Sequence, residues 1–190
     1  MIHFLDETLR ELFISQIKDE ITDSSQVSFE LPDDEFCSHV KTLGRSVLNV
    51  SLVDMRENRS TAVGNLKSSQ TGSALRRVDC HYLISAWSPA VKSAEPVLDE
   101  HALLYKALVA LMEAEPMVPR AIFGFKPLPR DFPEPLRDTV FPTVVLPVER
   151  FPKTAEFWAA AKGVHWKPTI HLVVTLPIVP ASLTSAASEL

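Results

Sequence analysis

The residues best suited to chemistry are Cys80 and His81, because a thiol beside an imidazole can form a nucleophile–base pair or bind a metal ion. They lie in the run 77–87, whose β-branched and aromatic residues predict a strand that ends at Ser88-Pro89. Neighbouring side chains of a strand point to opposite faces, so the pair cannot act on one atom. The alternation instead predicts a central strand with one mixed and one apolar face. The apolar face consists of Val78, Cys80, Tyr82, Ile84 and Ala86.

Other signatures of catalysis or cofactor binding do not occur in the sequence. There is no glycine-rich phosphate loop and no Gly-x-Ser-x-Gly elbow. His101, His165 and His171 have no partner at metal-ligand spacing. The acids of 33–35 and 99–100 stand at the starts of predicted helices, where capping and the helix dipole account for them. We therefore predict no catalytic residue, no cofactor and no metal site.

Length and composition indicate a globular protein. The chain has 190 residues, of which 46% are hydrophobic and 23% charged, which is enough to bury one core. The net charge of -5 disfavours a nucleic-acid partner. Cys37 and Cys80 are expected to be buried thiols. The start of the chain lacks the features of a signal peptide, and the longest apolar run, 172–179, is too short to span a bilayer. We expect synthesis and assembly in the cytoplasm, without membrane insertion.

Hydrophobic periodicity and turn signals define the elements. Helices are predicted at 3–20, 98–112 and 154–162, with a single helical turn at 33–36 that Asp33 caps. Strands are predicted at 27–31, 46–57, 77–87 and 168–177, a proline-rich connector at 116–138, and an edge segment at 140–148. This order predicts an α+β fold, a twisted and mainly antiparallel sheet with helices against one face. Residues 1–180 are expected to form a single domain and residues 181–190 a flexible tail.

A group of basic residues stands out around the predicted turn between the two long strands. The group consists of Arg56, Arg59, Lys67, Arg76 and Arg77. If the strands form a hairpin, these charges gather at one end of the sheet. One interpretation is a solvated loop that keeps the protein soluble, and the other is a docking surface for an acidic partner or a neighbouring subunit. The proline-rich segment 140–148 is a second candidate for contact with another chain.

Several segments, in the same order along residues 1–180, resemble the Pvc16-type N-terminal domain family. Its members are cap or tail-terminator proteins of extracellular contractile injection systems. The matching segments are Met1-Ile2-His3 with Leu5-Asp6-Glu7-Thr8-Leu9, Leu48-Asn49-Val50 with Asp54-Met55-Arg56-Glu57-Asn58, Asp79-Cys80-His81-Tyr82-Leu83-Ile84-Ser85-Ala86-Trp87, Glu100-His101 with Leu103-Leu104, Phe157-Trp158, and Lys167-Pro168 with Val173-Val174-Thr175-Leu176-Pro177.

The resemblance implies a phage tail-terminator-like fold and a structural, non-enzymatic function. It implies a homohexameric ring that closes the particle at the end distal to the baseplate. The ring would contact the last inner-tube ring and the last sheath ring of a particle that is released or membrane-anchored. The alternative hypothesis is a small α+β ligand-binding or hydrolytic domain with an unrecognised site.

Overall fold

The structure is a computed structural model that describes residues 1–58, 76–90, 95–147, 154–161 and 165–178. Within these ranges the elements follow one another as α1 (Ile2–Gln16), β1 (Val27–Ser28), α2 (Asp34–Leu43), β2 (Val47–Asn58), β3 (Arg77–Trp87), α3 (Pro96–Glu113), α4 (Pro119–Phe123), β4 (Thr143–Val145), α5 (Thr154–Ala160) and β5 (Ile170–Pro177). Short 3-10 turns occur at Ser24–Gln26 and Glu134–Leu136. The predicted tail 181–190 lies outside the described residues.

The strands form one five-stranded sheet in the order β1-β2-β3-β5-β4. β1 runs parallel to β2, and the other neighbours are antiparallel, so the predicted mainly antiparallel sheet with flanking helices is confirmed. β3 is the central strand, as its two usable faces predict. β4 lies at the edge, bounded by Pro142 and Pro147, which cannot donate to a strand ladder.

The first face of the sheet is covered by α1 and α3. The predicted apolar residues of β3 pack there with the buried stripe of α1. The completely buried Tyr82 donates a hydrogen bond from its hydroxyl to Oδ1 of Asp6 at 2.7 Å, which joins the central strand to α1. Burial raises the pKa of the Asp6 carboxyl and that of the Tyr82 phenol. The bond therefore satisfies the polar group that the large Tyr82 side chain carries into the core.

The second face is also covered, at the end where β2 begins and β3 ends. Phe36 of α2 and Trp158 of α5 pack on Trp87, with ring centroids 5.2 and 6.4 Å from it. The prediction of helices against one face was therefore wrong. α2 is a complete helix and not a single turn. The Asp33 carboxylate caps its start by accepting from the Phe36 N–H at 2.9 Å, and Gly44 ends it in the left-handed conformation (φ 67°).

Two local features also differ from the sequence prediction. The pairing of β2 with β3 shifts between Leu52 and Asp54, and this β-bulge leaves Val53 without an opposite residue. Asp54 consequently lies opposite His81 on the second face, whereas simple alternation places it with Leu48 on the first. The segment 116–138, predicted as a connector without regular structure, contains a short helix. Pro119 begins α4, because the first turn of a helix needs no N–H from this residue.

Candidate functional site

The described members of the predicted basic group, Arg56, Arg76 and Arg77, lie at the end of the sheet where β2 ends and β3 begins. Asn58 pairs with Arg77 and Arg56 with Asp79, so the predicted antiparallel pairing of these strands is confirmed. Arg59 and Lys67 lie outside the described residues. We call Arg56, Arg76 and Arg77, with the acids between them, the hairpin end of the sheet.

The hairpin end is not uniformly basic. Arg56 Nε contacts Asp54 Oδ2 at 2.9 Å, and Arg76 Nη2 contacts Glu57 Oε1 at 2.6 Å. The side chains of Arg56 and Arg76 are 50% and 73% exposed, whereas those of Asp54 and Glu57 are only 21% and 33% exposed. Each guanidinium group is therefore more exposed than the carboxylate that it contacts, and the two pairs lie on opposite faces of the sheet, since Arg56 is opposite Asp79 and Glu57 is opposite Val78. Exposed pairs of this kind add little stability but define the charge that a partner meets.

A hydrogen-bond network holds the hairpin end to the neighbouring strand. The Asp79 carboxylate accepts from Asn58 Nδ2 at 2.9 Å and from Thr175 Oγ1 at 2.6 Å. These three residues belong to β2, β3 and β5, so one side chain joins three adjacent strands. The network therefore ties together the strands that carry Arg56 and Arg77.

Two histidines lie against each other on the same second face. His81 Nδ1 is 3.1 Å from His171 Nε2, and the rings stack at an interplanar angle of 26°. Burial lowers the pKa of both imidazoles. The positive charge of Arg56 lowers the pKa of His81 further. For His171, His81 and then Arg56 lower the pKa further. The short N···N distance requires one ring to donate and the other to accept, so the pair is not doubly protonated.

The histidine pair was missed in the sequence, where His171 has no partner at ligand spacing. The two residues are brought together by the β3–β5 register, in which His81 lies opposite Val173 and His171 opposite Leu83. The signal in the sequence was that each histidine lies on the face of its strand that mixes polar and apolar residues. Among the described residues, no group of three or more His, Cys, Asp or Glu side chains could hold a metal ion.

The separation of Cys80 from His81 is confirmed. Cys80 is completely buried in the first-face core, whereas His81 lies on the second face. Burial raises the pKa of the Cys80 thiol to about 11, which keeps it protonated at neutral pH. Cys80 is thus a packing residue.

The histidine pair predicts a pH dependence of stability. Because folding lowers the pKa of His81 and His171 below the ordinary value of about 6.5, their contribution is present above that pH and is lost as pH falls through this range. We expect the His81→Gln, His171→Gln double variant to lose less unfolding free energy than wild type between about pH 7.5 and about pH 5.5. Urea unfolding at each pH measures this, with His101→Gln, in the exposed part of α3, as the matched control. Equal slopes for wild type and the double variant would contradict the prediction.

A groove lies at the opposite end of the sheet, next to the aromatic cluster of Trp87. It has a volume of about 440 Å³ and lies between the start of α2 and the end of α5. Its lining consists of Leu31, Pro32, Asp33, Asp34, Glu35, Phe157, Ala160 and Ala161. We call it the acidic groove. Helix capping was the predicted role of these acids, and Asp33 does cap α2. The apolar wall that α5 supplies could not be predicted from sequence spacing.

The fold is that of a tail-terminator-like domain, since two such proteins share it. One is the sheath/tube terminator of the extracellular contractile injection system PVC in its extended state, with TM-score 0.55, 14% identity, and coverage of 94% of this chain and 56% of that chain. The other is the anti-feeding prophage cap, a tube-terminating cap, with TM-score 0.52, 19% identity, and coverage of 92% and 53%.

The chain belongs to the Pvc16 N-terminal domain family, whose model matches residues 5–189. The resemblance seen in the sequence is therefore confirmed. The chain spans little more than half the length of the two terminators that it matches. No curated protein matches it in sequence. None of the helices in the described part of the chain has the length and hydropathy needed to cross a bilayer.

Proposed function

We propose that this chain is a structural cap, or tail terminator, of a contractile injection particle. It forms a closed homohexameric ring that ends the inner tube and the sheath at the end distal to the baseplate. The observation that carries the proposal is the match to the Pvc16 N-terminal domain family over residues 5–189, supported by the shared fold of two terminators. The chain acts through binding surfaces and not through catalysis, and it assembles with its partners in the cytoplasm.

The physical task of a terminator is asymmetric. A growing stack of rings presents unsatisfied apolar patches and hydrogen-bonding groups at its end. A cap binds those groups on one side and offers no equivalent surface on the other, so polymerisation stops. A sheet suits this task. β3 pairs with β2 and β5 along its length, and this pairing holds the two ends of the sheet at a fixed separation.

The basic group is the proposed contact region, comprising Arg56, Arg59, Lys67, Arg76 and Arg77. The outward position of the Arg56 and Arg76 guanidinium groups supports this assignment. Charged groups on the rim of an interface set orientation and the rate of association.

Titration of growing inner tubes with the purified chain tests the proposal. We expect the mean tube length, measured by negative-stain microscopy, to fall as the ratio of this chain to tube protein rises, with a ring at one tube end. A variant with Arg56→Glu and Arg76→Glu should cap less effectively than the matched control with Lys18→Glu and Lys41→Glu, at exposed residues elsewhere. Tubes of unchanged length at every ratio, without bound chain, would contradict a terminator function.

A further inference from the structure

The acidic groove combines an apolar wall with charge of a single sign. α5 supplies the apolar wall, which includes Phe157, and Leu31 on the α2 side is 69% exposed. The charged residues of the lining are all acids, namely Asp33, Asp34 and Glu35. Asp34 and Glu35 are exposed, and neither forms an ion pair with another described residue. The groove therefore suits an apolar side chain that has positive charge beside it.

A side chain of this kind is exposed elsewhere on the molecule. Phe125 directly follows Gly124, whose positive φ of 56° turns the chain at the end of α4, and its ring is fully exposed. A cavity of about 150 Å³ accommodates benzene, so a groove of about 440 Å³ has room for the Phe125 ring. Buried aromatic side chains are among the residues that contribute most to the affinity of an interface.

The loop that carries Phe125, residues 124–130, also lines a cavity of about 260 Å³ that we call the basic cavity. Its charged lining residues are all cations, namely Arg120, Lys126, Arg130 and Arg137. The acids that contact or follow these cations lie outside the lining, and they are Glu11, Asp131, Glu134 and Asp138. Arg130 forms no ion pair with any residue that the structure describes. The charge that lines this cavity is therefore opposite in sign to that of the groove.

The loop and the groove of one copy lie on opposite sides of the sheet. α4 packs on α1, and Lys126 Nζ contacts Oε1 of Glu11 in α1 at 2.6 Å, so the loop belongs to the helical layer on the first face. The groove lies between α2 and α5 on the second face. Complementary patches on opposite sides of one molecule form a head-to-tail contact between copies, which closes into a ring when the rotation per subunit permits it.

We propose that Phe125 of one copy docks into the acidic groove of the next copy, with the basic cavity facing Asp34 and Glu35. This inference rests on the proposed function, since it identifies the two unlike surfaces that a cyclic ring of identical subunits requires. Burial of the Phe125 ring supplies most of the affinity, because exposed ion pairs contribute weakly. The charges fix the orientation, so that a groove meets a loop and not another groove.

Two substitutions test the docking, one on each surface. Phe125→Ala removes the ring, and its matched control is Tyr105→Ala, at an aromatic residue of α3 that is 67% exposed. Ala160→Trp fills the groove, and its matched control is Ala159→Trp, at the exposed neighbouring residue of α5 that does not line the groove. Circular dichroism first establishes that each variant retains its secondary structure. Sedimentation velocity over a concentration series then measures the self-association of each variant.

We expect Phe125→Ala and Ala160→Trp each to self-associate at least about tenfold more weakly than wild type, and both controls to retain wild-type behaviour. At concentrations where wild type is monomeric, Phe125→Ala should unfold at the wild-type temperature, because it removes a contact between copies and not one within the fold. A mixture of the two variants should form a heterodimer, since one variant retains the loop and the other retains the groove. This heterodimer should not grow into a ring, because its other two surfaces are defective.

Exchanging two charges tests the orientation of the contact. Arg130→Glu and Glu35→Lys should each weaken self-association about two- to fivefold, the range expected for exposed ion pairs. A chain that carries both substitutions should regain association, because its loop and groove are again complementary. A double variant that associates no better than the single variants would contradict the proposal that the basic cavity faces these acids.

The following results would overturn the inference. Wild-type chain that remains monomeric at every soluble concentration would contradict docking between copies, as would a Phe125→Ala variant that associates as strongly as wild type. Phe125→Ala with intact self-association but lost binding to inner tubes would assign the loop to the tube protein instead, and the cap function would stand. Wild-type chain that self-associates as expected but does not bind tubes would contradict the cap function and leave the docking intact.

Discussion

Replacing Trp87 with alanine is expected to lower the free energy of unfolding by about 3–5 kcal/mol. Trp87 is only 6% exposed and ends the central strand on its second face. Phe36 and Trp158 both pack on it, and its indole N–H donates to Ser85 Oγ at 2.9 Å. The change removes the common contact of α2 and α5, and both helices line the acidic groove. We therefore expect α2 and α5 to lose their packing on the second face together with the loss of stability.

Trp166→Ala is the matched control, because this tryptophan is 67% exposed. Its effect on the free energy of unfolding should stay within about 0.5 kcal/mol, as for other surface substitutions. Chemical unfolding followed by circular dichroism measures both variants. Equal losses for the two tryptophans would contradict the assignment of Trp87 to a second core.

Phe13→Ala is expected to cost about 3–5 kcal/mol of unfolding free energy as well, this time through the first core. Phe13 is completely buried in the stripe of α1 that packs against the sheet. Removing its ring leaves a cavity, because the close-packed neighbouring residues cannot shift far enough to fill the space. Thermal unfolding of wild type and variant measures the loss.

Phe125→Ala provides the comparison for this substitution, because the Phe125 side chain is fully exposed. Truncating it removes the same number of atoms without opening a cavity. The control should unfold at the wild-type temperature, while Phe13→Ala should unfold at a clearly lower one. Similar unfolding temperatures would mean that α1 is not part of the core.

Much of the fold follows from alternation and capping in the sequence. Residues 77–87 have one apolar and one mixed face, which indicates a strand that is buried on one side and partly covered on the other. This pattern predicts the central position of β3. Asp33 marks the start of α2, since its short carboxylate can accept a backbone N–H that has no partner inside the helix. The family resemblance then supplies the terminator-like fold, which the order of elements alone leaves open.

The remaining features depend on contacts between distant parts of the chain. The β-bulge at Val53 moves Asp54 to the face of His81, and no residue type in β2 signals the extra residue. The His81–His171 pair arises from the adjacency of β3 and β5, strands that are far apart in sequence. The acidic groove likewise requires α5 to pack beside α2. Local patterns define faces, but only the tertiary fold decides which faces meet.

Locating this chain in assembled particles is the most direct test of its proposed function as the cap. Cryo-electron microscopy of particles assembled with and without the chain measures it, with the chain identified by a fused tag. We expect a closed ring of about six copies at the end distal to the baseplate, and tubes and sheaths of uncontrolled length when the chain is absent. Particles of normal length and stability without the chain, or a tag located away from that end, would contradict its function as the cap.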